Sequence, residues 1–277
     1  MAYRRLDNGD RDIARSFLLR NPVMNVVPLA NMERLGLEQG ETPLHGDYFG
    51  GFGEAGLQAV GALFNLGAFF FHAESPESVS GMAACVAYTG RFPNYTAGTR
   101  GHVQVFLEEL SALVPVAPKL IPSEFMVLRG SVKDVPRCGV ARAARSGDLD
   151  AIVRMQVDFE IEAFGKSVVE EESIRRLLEY QVSEGAATVV EDGGRIVSKA
   201  EATVAGAHAA LIGGVYTLPG SRGRGYSTTC MASLCRDLLE RVPAAGLNVF
   251  VENHSAGRVY EKTGFETVEE WLTVEMA

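Results

Sequence analysis

The chain has 277 residues, enough for two domains of ordinary size or one large one. Its net charge is −9, with 12 basic and 14 acidic residues before Cys138 (−2) and 14 basic and 21 acidic after it (−7). That balance disfavours nucleic acid and anionic membranes as partners. Met1 to Asp7 has no apolar run behind its positive residues, so no secretory signal is expected there. The most apolar stretch, Leu57 to Phe71, is short for a membrane span and is interrupted by Gly61, Asn65 and Gly67. Cys85, Cys138, Cys230 and Cys235 form no Cys-x-x-Cys pair and no His pair has metal spacing, which reads as reduced thiols in a cytoplasmic protein without a metal.

In chain order, the apolar periodicity predicts helices over Asp10 to Leu19 and Val23 to Leu37. Strands follow at Tyr48 to Phe52, Leu57 to Phe64 and Ala68 to His72. Pro76 to Tyr88 and Thr99 to Leu113 read as helices, and Phe125 to Leu128 as a strand. A boundary is suggested between about Arg129 and Gly139, where polar and turn-prone residues gather from Gly130 to Pro136. Beyond it the order repeats. A strand at Gly139 to Ala144 leads to helices over Asp148 to Phe164 and Glu170 to Val182. Strands at Ala187 to Glu191, Ile196 to Val204 and His208 to Tyr216 come next, then a loop from Leu218 to Gly225 and a helix through Leu239. A strand at Leu247 to Val251, a helix at Ser255 to Thr263 and a strand at Phe265 to Val274 end the chain.

The loop carries the most chemistry. An apolar strand ends at Thr217, Pro219 and Gly220 turn the chain, and Arg222-Gly223-Arg224-Gly225 lead into the helix. A helix N-terminus presents unpaired N–H groups and a partial positive charge, and glycines let a phosphate come close. Two arginines add charge that pairs with pyrophosphate. Downstream, a strand ends in Asn253, Ser255 can cap the next helix, Ala256 is small enough for close packing, and Gly264 stops the helix before Phe265.

These two segments together resemble the GNAT acetyltransferase superfamily. The first is similar to its Arg/Gln-x-x-Gly-x-Gly/Ala pyrophosphate loop on Arg222 to Ser227. The second is similar to its Asn-x-x-Ala-x-x-x-Tyr-x-x-x-Gly-Phe ending on Asn253, Ala256, Tyr260, Gly264 and Phe265. The resemblance covers roughly Gly139 to the C-terminus. It is nearest to the glycine N-acyltransferase-like branch, which also shows Thr-x-Pro before the loop, here Thr217-Leu218-Pro219. Ser227 departs from the usual Gly or Ala.

The resemblance implies acetyl-CoA or another acyl-CoA as co-substrate and a small-molecule or amino-acid amine as acceptor. It places the pyrophosphate on Arg222, Gly223, Arg224, Gly225, Tyr226 and Ser227. It places the acyl-pantetheine arm along the backbone of Val215 and Thr217, where two parallel strands splay. Asn253 would touch the pantetheine or position its helix, with Ala256 beside it. In such a site the amine attacks the thioester directly, helped by positioning, a base and an acid. Tyr260 is the acid candidate for the leaving thiolate. The base stays open: Glu201, in an otherwise small and apolar strand, faces a cleft or solvent; Glu252 comes second, then Glu162, His208 or a water relay. Peptide acetylation and non-catalytic acyl-CoA sensing are the rival readings.

No glycine-rich basic loop follows Ala68 to His72; Pro76 and Glu77 open that helix instead. The expectation is therefore an α/β protein of two GNAT-like halves, with a central mixed sheet flanked by helices. Residues 1–130 would be degenerate and 138–277 catalytic.

Overall fold

The structure, a computed structural model, describes residues 1–165 and 170–276. It divides into two compact units. The first holds Met1–Phe125, Phe250–Glu252 and Thr267–Ala277; the second holds Met126–Val249 and Asn253–Glu266.

The first half of the chain runs β1 (Ala2–Arg5), α1 (Arg11–Leu18), α2 (Val26–Leu35), β2 (Gly46–Gly53), β3 (Gly56–Phe64), β4 (Ala68–Ala73), α3 (Met82–Tyr88), β5 (Tyr95–Thr99), α4 (Arg100–Leu113) and β6 (Pro118–Arg129). The second repeats that order as β7 (Val140–Ala143), α5 (Leu149–Phe164), α6 (Glu171–Ser183), β8 (Ala187–Asp192), β9 (Arg195–Ala205), β10 (Ala210–Thr217), α7 (Tyr226–Leu239), β11 (Ala244–Phe250), α8 (His254–Thr263) and β12 (Glu266–Met276). Two strands thus escape the sequence pattern. β1 is four residues long and β5 is built from Tyr, Thr, Ala and Gly, so neither shows an apolar alternation.

The repeat has a residue-level signature. Arg4 forks onto Asp10 through two bonds of 2.6 Å, and Arg142 forks onto Asp148 at 2.7 and 3.0 Å. Both arginines lie on a unit's first strand and both aspartates open the following helix, six residues on in each case. The Asp carboxylates also accept the backbone N–H of Asp7 and Arg145. A bidentate arginine and an N-terminal carboxylate favour the same geometry, so strand and helix lock at a fixed angle.

In the first unit the strand order is β1-β2-β3-β4-β5-β12-β6. β1 to β4 are antiparallel, β4 and β5 are parallel, and β12 pairs antiparallel with β5 from Trp271↔Thr99 to Glu275↔Tyr95. Leu272, Val274 and Met276 complete a core of Phe69, Phe71, Val86, Phe106 and Leu110. The last strand of the chain is therefore part of the first unit, whereas a cut at 130 and 138 would leave it with the second.

In the second unit the order is β11-β10-β9-β8-β7, with β10 and β11 parallel and the rest antiparallel. Met126 and Leu128, at the end of β6, join its core with Tyr226, Cys230, Leu234, Tyr260 and Phe265. The polar stretch expected as a boundary is tied down here. The Lys133 N–H donates to Thr263 O at 3.1 Å, and the Cys138 N–H donates to Thr229 Oγ1 at 2.8 Å. No helix among the described residues is long and apolar enough to cross a membrane.

Leu272→Ala removes a buried side chain from the first unit and should destabilise it by about 2–5 kcal/mol. Hydrogen exchange should then show a larger loss of protection in β3 and β4 than in α7; equal losses would contradict the assignment of β12 to the first unit.

Candidate functional site

The chemistry-bearing residues of the second unit gather where β10 ends and α7 begins. β10 and β11 pair at only two positions, Ala210↔Ala245 and Leu211↔Gly246. Beyond Leu211 the two strands part, and six more residues of β10, Ile212 to Thr217, have no partner on β11. On its other side, β10 bulges against β9. The pairing passes from Gly213↔Glu201 to Tyr216↔Lys199, so Gly214 and Val215 together oppose Ala200. Gly214 takes φ +57°, and a Cβ there would lie 2.0 Å from Glu201 Oε1, so only glycine fits.

The loop after Thr217 makes a short 3-10 turn at Pro219–Ser221 and reaches α7 through Gly223 (φ +75°) and Gly225 (φ +84°). Gly225 is the N-cap of α7 and provides no side chain to it, and no acidic residue sits in the first turn. The opening amides at Tyr226 and Ser227 thus lack a capping side chain and a neutralising carboxylate, which is what an anion needs. A Cβ on Gly225 would meet Cys138 Sγ at 2.9 Å, so this glycine is fixed by packing as well as by its left-handed backbone.

The arginines of the loop are exposed but engaged. Arg222 forks onto Glu162 Oε1 and Oε2 at 2.9 and 2.8 Å and donates to Thr217 O at 3.0 Å. Tyr216 also donates to Glu162 Oε1 at 2.7 Å. The Tyr216 hydroxyl, and then Arg222, hold the Glu162 carboxyl below the usual range. Burial and the Glu162 bond push the Tyr216 phenol up to about 12. Arg224 lies over the Tyr226 ring and reaches Asp192 Oδ2 at 3.2 Å. Thr217 Oγ1 shares a 2.8 Å hydrogen bond with Ser198 Oγ.

Asn253 is the N-cap of α8: its Oδ1 accepts the Ala256 N–H at 3.1 Å and the Ser255 hydroxyl at 2.9 Å. The cap expected on Ser255 therefore belongs to Asn253, and Ser255 braces it. One turn on, Tyr260 is 7% exposed within the core cluster, its ring tilted against Phe265 at 6.0 Å. Burial raises its phenol well above the ordinary 10.0, so it stays protonated. Among the described residues its hydroxyl has no hydrogen-bond partner.

The base candidates fare differently. Glu201 faces neither a cleft nor solvent. It is 3% exposed, and Lys199, 1% exposed, donates to its Oε1 and Oε2 at 2.7 and 3.0 Å. Burial pushes its carboxyl up while Lys199 pulls it down. Glu252 is exposed before Asn253 and groups with the first unit. Glu162 is bound to Arg222 as above, and His208 lies half-buried in the turn before β10. Lys199 is the residue that sequence reasoning missed. Its spacing of two from Glu201 on a strand, which puts both side chains on one face, was the available signal.

In the first unit β4 and β5 also pair at only two positions, Ala68↔Tyr95 and Phe69↔Thr96. The turn at Pro76–Val79 is a 3-10 turn, and α3 starts only at Met82 after Gly81. The Gly81 N–H there already donates to Glu109 Oε2 at 2.8 Å.

Residues 150–265 match the acetyltransferase (GNAT) family model. No curated relative matches the chain in sequence. Among solved structures, a Drosophila protein aligns over 99% of this chain and 98% of its own, with a TM-score of 0.70 at 12% identity. A GCN5-related N-acetyltransferase from Sphaerobacter thermophilus aligns over 99% and 95%, with 0.64 at 17%. A tandem GNAT protein from the clavulanic acid biosynthesis pathway aligns over 100% and 98%, with 0.55 at 13%. At these identities the likeness is one of fold, and it extends over both halves.

Asn253→Ala removes the α8 cap and should cost about 1 kcal/mol of stability. The amides of the first turn of α8 should exchange faster with solvent; unchanged exchange there would show that Asn253 does not hold the helix.

Proposed function

We propose, from the match of residues 150–265 to the acetyltransferase (GNAT) family model, that the chain transfers an acetyl or related acyl group from acyl-CoA to the amine of a small molecule or amino acid. One observation carries this reading: an uncapped, acid-free helix N-terminus opens beside a parallel strand pair that has parted. A pyrophosphate fits the first feature and an extended pantetheine arm fits the second. The amides of Arg224, Gly225, Tyr226 and Ser227 hold the pyrophosphate. The Arg222 and Arg224 side chains, held by Glu162 and Asp192, flank it. Val215 and Thr217 present backbone groups to the acyl-pantetheine arm, Val215 at its acyl end, and Asn253 fixes α8 so that Ala256 and Tyr260 line it. Thr217-Leu218-Pro219, as in the glycine N-acyltransferase-like branch, favours an amino-acid acceptor over a peptide.

In the chemical step the amine nitrogen bonds to the acyl carbon as the C–S bond breaks, and the proton that the nitrogen loses passes to water. The departing sulfur takes a proton from Tyr260, whose buried, unpartnered phenol is protonated at neutral pH. Glu201, with both oxygens on Lys199, is poorly placed to take a proton from the amine. The first unit is degenerate as a donor site, because Glu109 already occupies the amide of Gly81 and α3 has only seven residues. One CoA per chain is expected.

Ser227→Asp tests the nest without disturbing Gly225. A carboxylate in the first turn favours the helix by roughly 0.3–1 kcal/mol, yet it repels a pyrophosphate. Calorimetry should show a melting temperature kept or raised and acetyl-CoA affinity lost; unchanged affinity would remove the pyrophosphate from this loop.

Tyr260→Phe keeps the ring and its packing but removes the proton. kcat should fall by about 10²–10⁴-fold while acetyl-CoA affinity holds, because proton donation is needed only as the C–S bond breaks. In the wild type, the alkaline loss of rate due to this phenol should come above the ordinary phenol value near 10. Thiol release measured over a panel of amines gives both numbers. Equal kcat for the two proteins would leave Tyr260 as a packing residue.

A further inference from the structure

The chemistry proposed above leaves the buried Lys199–Glu201 pair of the second unit without a role. Removing two charges from water is unfavourable, and apolar residues of the same volume often serve a fold as well or better. The pair is nonetheless almost wholly buried, and its partners are specific. Lys199 Nζ has three acceptor residues: Gln156 Oε1 at 2.7 Å, Glu201 at 2.7 and 3.0 Å, and the carbonyl of Gly214 at 2.9 Å. An ammonium has three protons, so its donor capacity is filled. Gln156 itself donates to Glu160 Oε1 at 3.2 Å, which ties the chain of bonds into α5. The far end of that chain is a backbone carbonyl inside the β10 bulge.

That carbonyl decides where the next amide points. All peptide bonds described are trans, and a trans peptide sets its C=O and N–H on opposite sides. Drawing Gly214 O toward Lys199 turns the Val215 N–H away from it. β10 lies between β9 and β11, and beside Val215 the β11 side is open, because β11 has already parted. Gly214 and Val215 have no Cα partner on β9 either. Glu201 fills the space beneath Gly214 where a Cβ would stand, which holds the bulge from below.

We propose that Lys199 and Glu201 are positioning residues that pin the Gly214 carbonyl, so that the Val215 N–H is presented to the thioester carbonyl in the gap between β10 and β11. This rests on the acyl-CoA reading above. A donor fixed in advance stabilises the negative charge that grows on that oxygen as the amine attacks, and it needs no reorganisation during the step. Glu201 then acts on the reaction through Lys199 and the backbone, without receiving a proton.

The test uses the full chain with Lys199→Met and Glu201→Leu combined, which leaves no buried charge unpaired and should keep the fold. kcat should fall by roughly 10²–10³-fold, as for loss of one such donor, with KM for acetyl-CoA little changed. Amide NMR separates this inference from the one beneath it. In the wild type, Gly225 and Ser227 should shift with both CoA and acetyl-CoA, whereas Val215 should shift with acetyl-CoA alone. In the double variant the loop shifts should persist and the Val215 shift should vanish. A Val215 shift that survives, or a kcat within about threefold of wild type, would overturn the inference. Loop amides silent in the wild type would instead overturn the acyl-CoA reading itself. Glu201→Gln distinguishes positioning from base catalysis: it should lower kcat yet leave the acidic limb of the pH–rate profile in place. Loss of that limb would make Glu201 the base.

Discussion

Parallel strands cannot be joined by a tight turn, and the second unit is organised by that constraint. Going from β10 to a parallel β11 requires a crossover, and α7 supplies it. The N-terminus of α7 must then open at the C-terminal end of β10, the end at which β10 and β11 have separated. The uncapped helix start and the parted strands, on which the proposed anion nest and pantetheine slot rest, thus arise side by side from one connection. Local sequence makes the nest usable: Gly223 and Gly225 supply left-handed backbone, and Cys138 packs where any larger residue than glycine at 225 would stand. Backbone amides provide the positive end, so the acidic composition of this half does not oppose an anionic donor.

The first unit shows what topology alone accomplishes. Its β4 and β5 are parallel, paired at two positions, and crossed over by α3. The same place in the fold is thereby created, and the Arg4–Asp10 fork repeats that of Arg142 and Asp148. Yet Gly81 gives its amide to Glu109, and α3 is half as long as α7. Both halves share the scaffold, while the proposed anion site depends on a few residues that the first half lacks.

Reading the sequence found β10, its loop, α7 and α8 because each carries a local signature: glycines in a loop, a cap, a stop at Gly264. It missed β5, whose Thr-Ala-Gly run shows no alternation and is held by Trp271 and its neighbours from the far end of the chain. The stretch from Gly130 to Cys138 was polar enough to suggest a boundary, but composition does not tell which carbonyl an amide will find. The N–H of Lys133 and that of Cys138 find Thr263 and Thr229, so the stretch supports α7 and α8 from below. The duplication was in fact legible as Arg-x-x-x-x-Gly-Asp-x-Asp at Arg4 and again at Arg142, a match too sparse to stand out without the strand and helix it joins. Glu201 was legible as an acid in an apolar strand; its meaning depended on Lys199, two residues back.

The polar groups of the second unit fall into two populations, and the proposed chemistry needs both. Arg222, Gly223 and Arg224 are exposed, where charges are screened within about 10 Å at moderate salt. Such groups suit a step that must be reversible, the capture and release of a highly charged donor. Lys199, Glu201 and Tyr260 are buried, where a given charge acts far more strongly and salt does not reach. Such groups suit a step in which charge appears briefly on one oxygen and one sulfur. The gap between β10 and β11 joins the two regions, so the proposed donor, anchored in water, would extend its thioester toward the dry side. The bulge at Gly214 and Val215 lies between the exposed loop and the buried pair, so the proposed reaction would place its carbonyl at that transition.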